Sequence, residues 1–179
     1  MSARIVLHEA DIRRALTRIA HEILESNRGA ENLVLLGIPT RGVPLAQRLG
    51  VLISEIAQTA VAVGALDVTL FRDDLSKHPT RTPHRTEIPA GGVDGKTVVI
   101  VDDVLFSGRS IRAALDALQS IGRPSVVRLA ILVDRGHREL PIRPDFVGKN
   151  IPSARSERVF VRLRGDDGEE FVSIEGGDE

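Results

Sequence analysis

The sequence predicts an α/β fold with a mostly parallel central sheet, helices on both faces and a strand pair at the C-terminal end. Two observations carry this. Leu33–Ile38 and Thr97–Val101 are short runs apolar on both faces, as strands of a buried parallel sheet require. Each leads through a glycine-bearing loop into a stretch of helical periodicity, and this strand–loop–helix order recurs along the chain. With 179 residues there is room for one hydrophobic core, and a single domain over 1–179 is expected.

Taken in order, Asp11–Asn27 reads as an amphipathic helix. Ile12, Leu16, Ile19, Ala20, Ile23 and Leu24 form one stripe, with Arg14, Thr17, Arg18 and His21 largely opposite. Asp11 is suited to cap its start and Gly29 its end. The strand Leu33–Ile38 ends in Pro-Thr-Arg-Gly, and a helix follows from Val43 to about Ile56. Ala60–Phe71 is expected to hold two strand pieces broken near Gly64 and Ala65. Arg72–Gly95 is polar, basic and proline-dotted, with no periodicity, so it predicts a long loop with at most a short hairpin. Strand Thr97–Val101, a loop over Asp102–Arg109 and a helix from Ser110 to about Ser120 repeat the pattern, ended by Gly122 and Pro124. Val126–Val133 is the next strand, and the basic stretch DRGHRELPIRPDFVGKNIP reads as a loop. Arg158–Leu163 and Glu170–Ile174 alternate as a strand pair around Asp166-Asp167-Gly168, before an acidic GGDE tail.

Composition narrows the function classes. The absence of cysteine rules out a disulfide framework and thiolate chemistry, and the apolar runs fall far short of the ~20 residues of a spanning helix. The first residues, MSARIVLHEADIRR, lack the apolar core of a secretory signal, so a cytoplasmic protein with no membrane partner is expected. Net charge is −1, so any nucleic acid must be met by a local basic patch. With no Trp or Tyr there is no aromatic platform for stacking single strands.

The segment Val98–Ser110, VVIVDDVLFSGRS, carries the chemistry. A buried strand delivers Asp102 and Asp103 to the edge of the sheet. Beyond them a loop containing Gly108 opens a helix whose first N–H groups are unpaired and carry partial positive charge, which suits a phosphate. Ser107 and Ser110 add hydroxyl donors, while the two carboxylates suit ribose hydroxyls. Phosphate donors beside hydroxyl acceptors describe a sugar-phosphate site. No Gly-Lys-Ser/Thr follows the loop, which excludes a Walker-type ATP site.

This thirteen-residue segment resembles the PRPP signature of type I phosphoribosyltransferases. IRRALTRIAHEI, GIPTRG, DVTLFRDDLS and LVDRGHRELPIRPDFVGKNIP further resemble the family of pyrimidine-operon regulators with uracil phosphoribosyltransferase activity. The resemblance implies the type I phosphoribosyltransferase fold, with a small hood or lid, and conversion of uracil and PRPP to UMP and pyrophosphate. It assigns Asp102 and Asp103 to the ribose hydroxyls of PRPP. It assigns the loop Phe106, Ser107, Gly108, Arg109 and Ser110, reached through Val104 and Leu105, to the 5′-phosphate. Thr40, Arg41 and Gly42 would contact pyrophosphate, in a loop that in the family often carries a cis peptide. Arg72, at the root of a lid over about 72–95 together with Asp73 and Lys77, would close on PRPP. Arg41 and the acidic pair are the residues expected to act in catalysis. Mg²⁺ is implied with PRPP, held through substrate oxygens and water rather than directly by the protein.

Purine enzymes of the superfamily, for hypoxanthine or guanine, are the alternative. They place a carboxylate where this chain has Phe106, and a phenyl ring transfers no proton. The resemblance puts Asp134, Phe146 and Val147 at the base pocket. It also implies uridine-nucleotide-dependent binding (UMP or UTP) to the pyrimidine mRNA leader through Thr17, His21, His137, Arg138, Arg143 and Lys149. Ser26 departs from the basic residue of close relatives and removes one charge from that face. A homodimer or higher homo-oligomer is also implied.

Overall fold

A computed structural model describes residues 3–74, 76–77 and 82–176. The last three residues of the acidic tail, and residues 75 and 78–81 of the expected lid, lie outside the described residues. In chain order the elements are β1 Arg4–His8, α1 Glu9–Asn27, β2 Leu33–Gly37, α2 Gly42–Ala57 and β3 Ala62–Ala65. A 3-10 turn, Thr69–Phe71, precedes β4 Thr97–Leu105, α3 Arg109–Gln119, β5 Val126–Asp134 and β6 Phe146–Asn150. β7 Arg158–Arg162, the helical turn α4 Arg164–Asp167 and β8 Phe171–Glu175 complete the fold.

The two-sided apolar strands form a parallel sheet in the order β3-β2-β4-β5-β6. The alternation of a strand sorts its side chains between two cores. Leu33, Leu35, Val99, Val101, Ala130 and Leu132 face one core with α1 and α2, while Val34, Leu36, Val98, Ile100, Leu129 and Ile131 face the other with α3. In α1 the stripe residues Ile12, Leu16, Ile19 and Ile23 are at most 2% exposed. Burial of each is worth about 1.5–3 kcal/mol, so packing fixes this helix more than propensity does. A second, antiparallel sheet, β1-β8-β7, packs into the α1–α2 core through Leu7, Val161, Val172 and Ile174. Among the described residues no helix is long and apolar enough to cross a membrane.

Several sequence expectations are corrected. β1 was not anticipated, and it runs without a loop into α1, so the helix starts at Glu9 with His8 as its cap. Asp11 is the third helical residue, and its carboxylate accepts the His8 N–H at 2.9 Å. Arg28 (φ 55°), rather than Gly29 alone, turns the chain at the other end, and the Gly29 N–H bonds to the Leu24 carbonyl. The second strand piece in 60–71 is a 3-10 turn, because the Asp67 carboxylate accepts both the N–H and the hydroxyl of Thr69 and curls the chain. β4 runs on to Leu105, with Asp102 paired to Ile131, so the acidic pair lies in the strand and not in the loop. The basic stretch after β5 contains the edge strand β6, which lacks the apolar continuity of the inner strands. The C-terminal strand pair is present as β7 and β8, within a separate sheet.

Glycine sets the turn from β2 to α2. A Cβ on Gly42 would collide with the Val101 carbonyl, and one on Gly37 with the Gly42 carbonyl. This close approach brings the β2–α2 loop against β4 beside Asp102. The Pro39–Thr40 peptide in that loop is cis.

Candidate active site

At the carboxyl ends of β2, β3 and β4 lies a cleft of about 760 Å³, the position expected of a ligand in a parallel α/β sheet. Its walls are Ile38–Arg41, Asp67–Thr69, Arg72, Asp102–Val104 and Ser110, with Thr82–His84 of the long loop across it. The structure thus brings together Thr40, Arg41, Arg72, Asp102, Asp103, Val104 and Ser110.

Asp102 is 9% exposed, and its carboxyl is pushed well above the ordinary carboxylate range, first by burial and then by the neighbouring charge of Asp103. Its Oδ1 accepts the Asp103 N–H at 2.9 Å, and Asp103 Oδ1 accepts the Val104 N–H at 2.8 Å. One oxygen of each carboxyl is thus bonded to a backbone N–H.

Gly108 (φ 92°) caps α3 without a side chain of its own; Ser107 Oγ accepts the first helical N–H, that of Arg109, at 3.3 Å, and the N–H groups of Ser110 and Ile111 that follow have no hydrogen-bond partner among the described residues. The loop before it is braced from the segment after β5. The Ser107 carbonyl accepts the N–H groups of Glu139 and Leu140, and Arg138 donates to the carbonyls of Phe106 and Ile142 at 2.9 Å each. Leu105 is core, at 2% exposure. The Phe106 ring lies under the Arg135 guanidinium (4.2 Å to the centroid) and meets His137 edge-on at 6.0 Å. Sequence reasoning missed Arg135, which is buried and fixed by Ser153, Ala154 and Glu157, bonds that only the fold can assemble.

The root of the long loop is tied to α3. Arg72 forks onto Asp74 and donates to Ser110 Oγ at 3.4 Å, while Arg109 donates to Asp73 at 2.6 Å. Across the cleft, Arg41 pairs with Asp167 of α4 through Nη2–Oδ1 (2.9 Å) and Nε–Oδ2 (3.3 Å). Nothing local in the sequence announces this partner.

The residues expected at the base pocket are dispersed. Phe146 is 5% exposed in the α1-facing core, because as a strand residue it turns inward, and it does not line the cleft. Val147 is half-buried in β6, and its carbonyl accepts from Arg18. Asp134 borders a separate cavity of about 420 Å³ with Arg135–Arg138 and Asn150–Pro152, its carboxylate held by the Gly136 N–H and by Arg138 at 2.6 Å.

The residues expected to meet RNA divide in two. His21, Arg143 and Lys149 are exposed and Thr17 half-buried. Arg18 joins α1 to β6 by donating to the Val147 and Gly148 carbonyls, so Thr17, His21 and Lys149 share one edge of the molecule. His137 and Arg138 are half-buried and engaged within the chain, His137 Nε2 lying 2.6 Å from the Ser153 carbonyl oxygen and Arg138 bonding Phe106, Asp134 and Ile142.

The Phosphoribosyl transferase domain family matches residues 3–162. The chain is 66% identical over 182 residues to the Bifunctional protein PyrR of Leifsonia xyli subsp. xyli, covering 99% of each. It is 61% identical over 172 residues to the Bifunctional protein PyrR of Streptomyces coelicolor, covering 96% of this chain and 89% of that one. Among solved structures, the hypoxanthine phosphoribosyltransferase of Trypanosoma cruzi superposes with a TM-score of 0.71 at 18% identity, covering 98% of this chain and 97% of that one. At that identity the likeness is one of fold.

Proposed function

This chain belongs to the phosphoribosyltransferase family, and on that premise we propose that it converts uracil and PRPP to UMP and pyrophosphate. One observation carries the reading: buried Asp102 and half-buried Asp103 stand beside the start of α3 and across the cleft from the Thr40–Gly42 loop. In this arrangement the acidic pair accepts the two ribose hydroxyls. The Ser110 and Ile111 N–H groups at the start of α3, with the Ser107 and Ser110 hydroxyls, hold the 5′-phosphate. The loop Thr40–Gly42 faces the pyrophosphate. A uracil nitrogen attacks C1 as the C1–oxygen bond breaks; the bonding pair leaves with pyrophosphate, and the nitrogen's proton passes to water or to the departing pyrophosphate. Donors aimed at that leaving group bind it more strongly as its charge grows, which lowers the barrier.

Among the described residues there is no group of three or more His, Cys, Asp or Glu side chains able to hold a metal. Mg²⁺ brought in on the oxygens of PRPP would neutralise pyrophosphate charge, and Asp102 and Asp103 are the residues that would face its water shell. Phe106, stacked under Arg135, supplies no proton to a purine ring, which favours a pyrimidine. Turnover with PRPP and each of uracil, hypoxanthine and guanine tests this. Uracil should be preferred by at least about 100-fold in kcat/KM; equal or faster purine nucleotide formation would refute it.

The relatives' name, bifunctional, supports a second activity, which we assign to binding of the pyrimidine mRNA leader when UMP or UTP occupies the cleft. The exposed His21, Arg143 and Lys149, with Thr17, are the contacts we assign to it. A homodimer would present two such edges to one RNA. Arg143→Glu should abolish leader binding at a fixed salt concentration and leave UMP synthesis intact. Equal loss of both activities would make the residue structural.

A further inference from the structure

The turn between β7 and β8 is linked to the wall of the cleft by Asp167, which pairs with Arg41. We infer that Asp167 is a positioning residue for phosphoribosyl transfer, fixing the Arg41 guanidinium so that its free edge meets the pyrophosphate group. This rests on the reading of the cleft as a PRPP site.

The geometry is that of a clamp rather than a surface pair. Asp167 is itself fixed: its Oδ2 accepts the Leu163 N–H at 2.9 Å, while its own N–H donates to the Leu163 carbonyl at 2.8 Å. Its side chain is 14% exposed, against 35% for Arg41. The Leu163 N–H and the Arg41 guanidinium hold its carboxyl below the usual carboxylate range, so it is ionised at working pH. Two-point pairing through Nε and Nη2 sets the plane of the guanidinium, as one contact would not. Nη1 of Arg41 makes no hydrogen bond among the described residues, and the side chain lines the cleft. A second pair, Arg48 to Glu170 at 2.9 Å, ties α2 to the same connection about two turns further on. The start of α2 therefore has little freedom to carry Arg41 away.

Asp167→Asn keeps an acceptor for the Leu163 N–H while removing the charge that holds Arg41. Steady-state kinetics are measured on the full chain for the wild type, Asp167→Asn, Arg41→Ala and the double variant. Asp167→Asn should raise KM for PRPP and weaken product inhibition by pyrophosphate, each about tenfold, with KM for uracil moving less than about twofold. In the Arg41→Ala background the same change should alter neither constant further, because its effect passes through Arg41. Equal losses in both backgrounds would overturn the inference. So would a fall in kcat with unchanged PRPP and pyrophosphate constants. A wild-type protein that makes no UMP would overturn the functional reading and this inference with it, whereas an active wild type and an unaltered Asp167→Asn would sink this inference alone.

Discussion

Asp102→Asn should make the protein more stable and a poorer enzyme. The wild-type carboxyl is 9% exposed and sits beside a second carboxyl. Among the described residues no Lys or Arg pairs with it: Arg72, the nearest favourable charge, is committed to Asp74. Burial and like charge raise its pKa, so the folded protein binds this proton more tightly than the unfolded chain does. Stability is then lost as pH rises from the ordinary carboxylate range, near 4, through the raised folded value, and stays lost above it. Asparagine removes that cost and retains an acceptor for the Asp103 N–H. The expected gain at pH 8 is about 1 kcal/mol, typical of relieving a strained functional position, or about 2–4 °C in Tm for a chain of this length. With Asp102 in its proposed role as an acceptor for a ribose hydroxyl, the substitution should cost about tenfold or more in kcat/KM for PRPP. Denaturant unfolding of both proteins between about pH 5 and pH 8 measures the gap. It should be widest at the alkaline end and narrow on acidification. A wild type more stable than the variant at pH 8, or a gap indifferent to pH, would refute the reasoning.

Two further substitutions test the architecture. Gly42→Ala drives a methyl into the Val101 carbonyl, a backbone atom of the central strand, and should cost about 1–3 kcal/mol and depress Tm accordingly; calorimetry showing no loss would mean that the β2–α2 turn is less tightly held than the geometry requires. Phe146→Ala should cost about 3–5 kcal/mol as a core truncation, while KM for uracil, measured well below the lowered Tm, moves less than about twofold. A large rise in that KM with an unchanged Tm would return Phe146 to the base pocket.

What the sequence disclosed depended on how local each signal was. β2, β4 and β5 were legible because strands buried on both faces read as unbroken apolar runs, and α2 and α3 because each follows such a run through a glycine turn. β6 was not, since an edge strand carrying Gly148, Lys149 and Asn150 has the composition of a loop. β1 was hidden for another reason. Five residues ending directly in a helix cap leave no turn to mark them, and their partner β8 lies at the other end of the chain.

The same rule divides the site. Asp102, Asp103, Gly108 and Ser110 fall within nine consecutive positions, so one strand, one glycine and one helix start convey their chemistry together. The groups that hold those residues in place come from elsewhere: Arg138 bonds Phe106 across 32 positions, and Asp167 meets Arg41 across 126. A cation that reads as exposed in a basic stretch turns out to be a brace, because three inward acceptors outweigh its hydration once the fold has converged them. Arg138 thus reads from the sequence as a surface contact for RNA, although it braces the loop that precedes α3. Long-range bracing of this kind leaves no periodicity or spacing behind, so it became visible only with the two sheets in place.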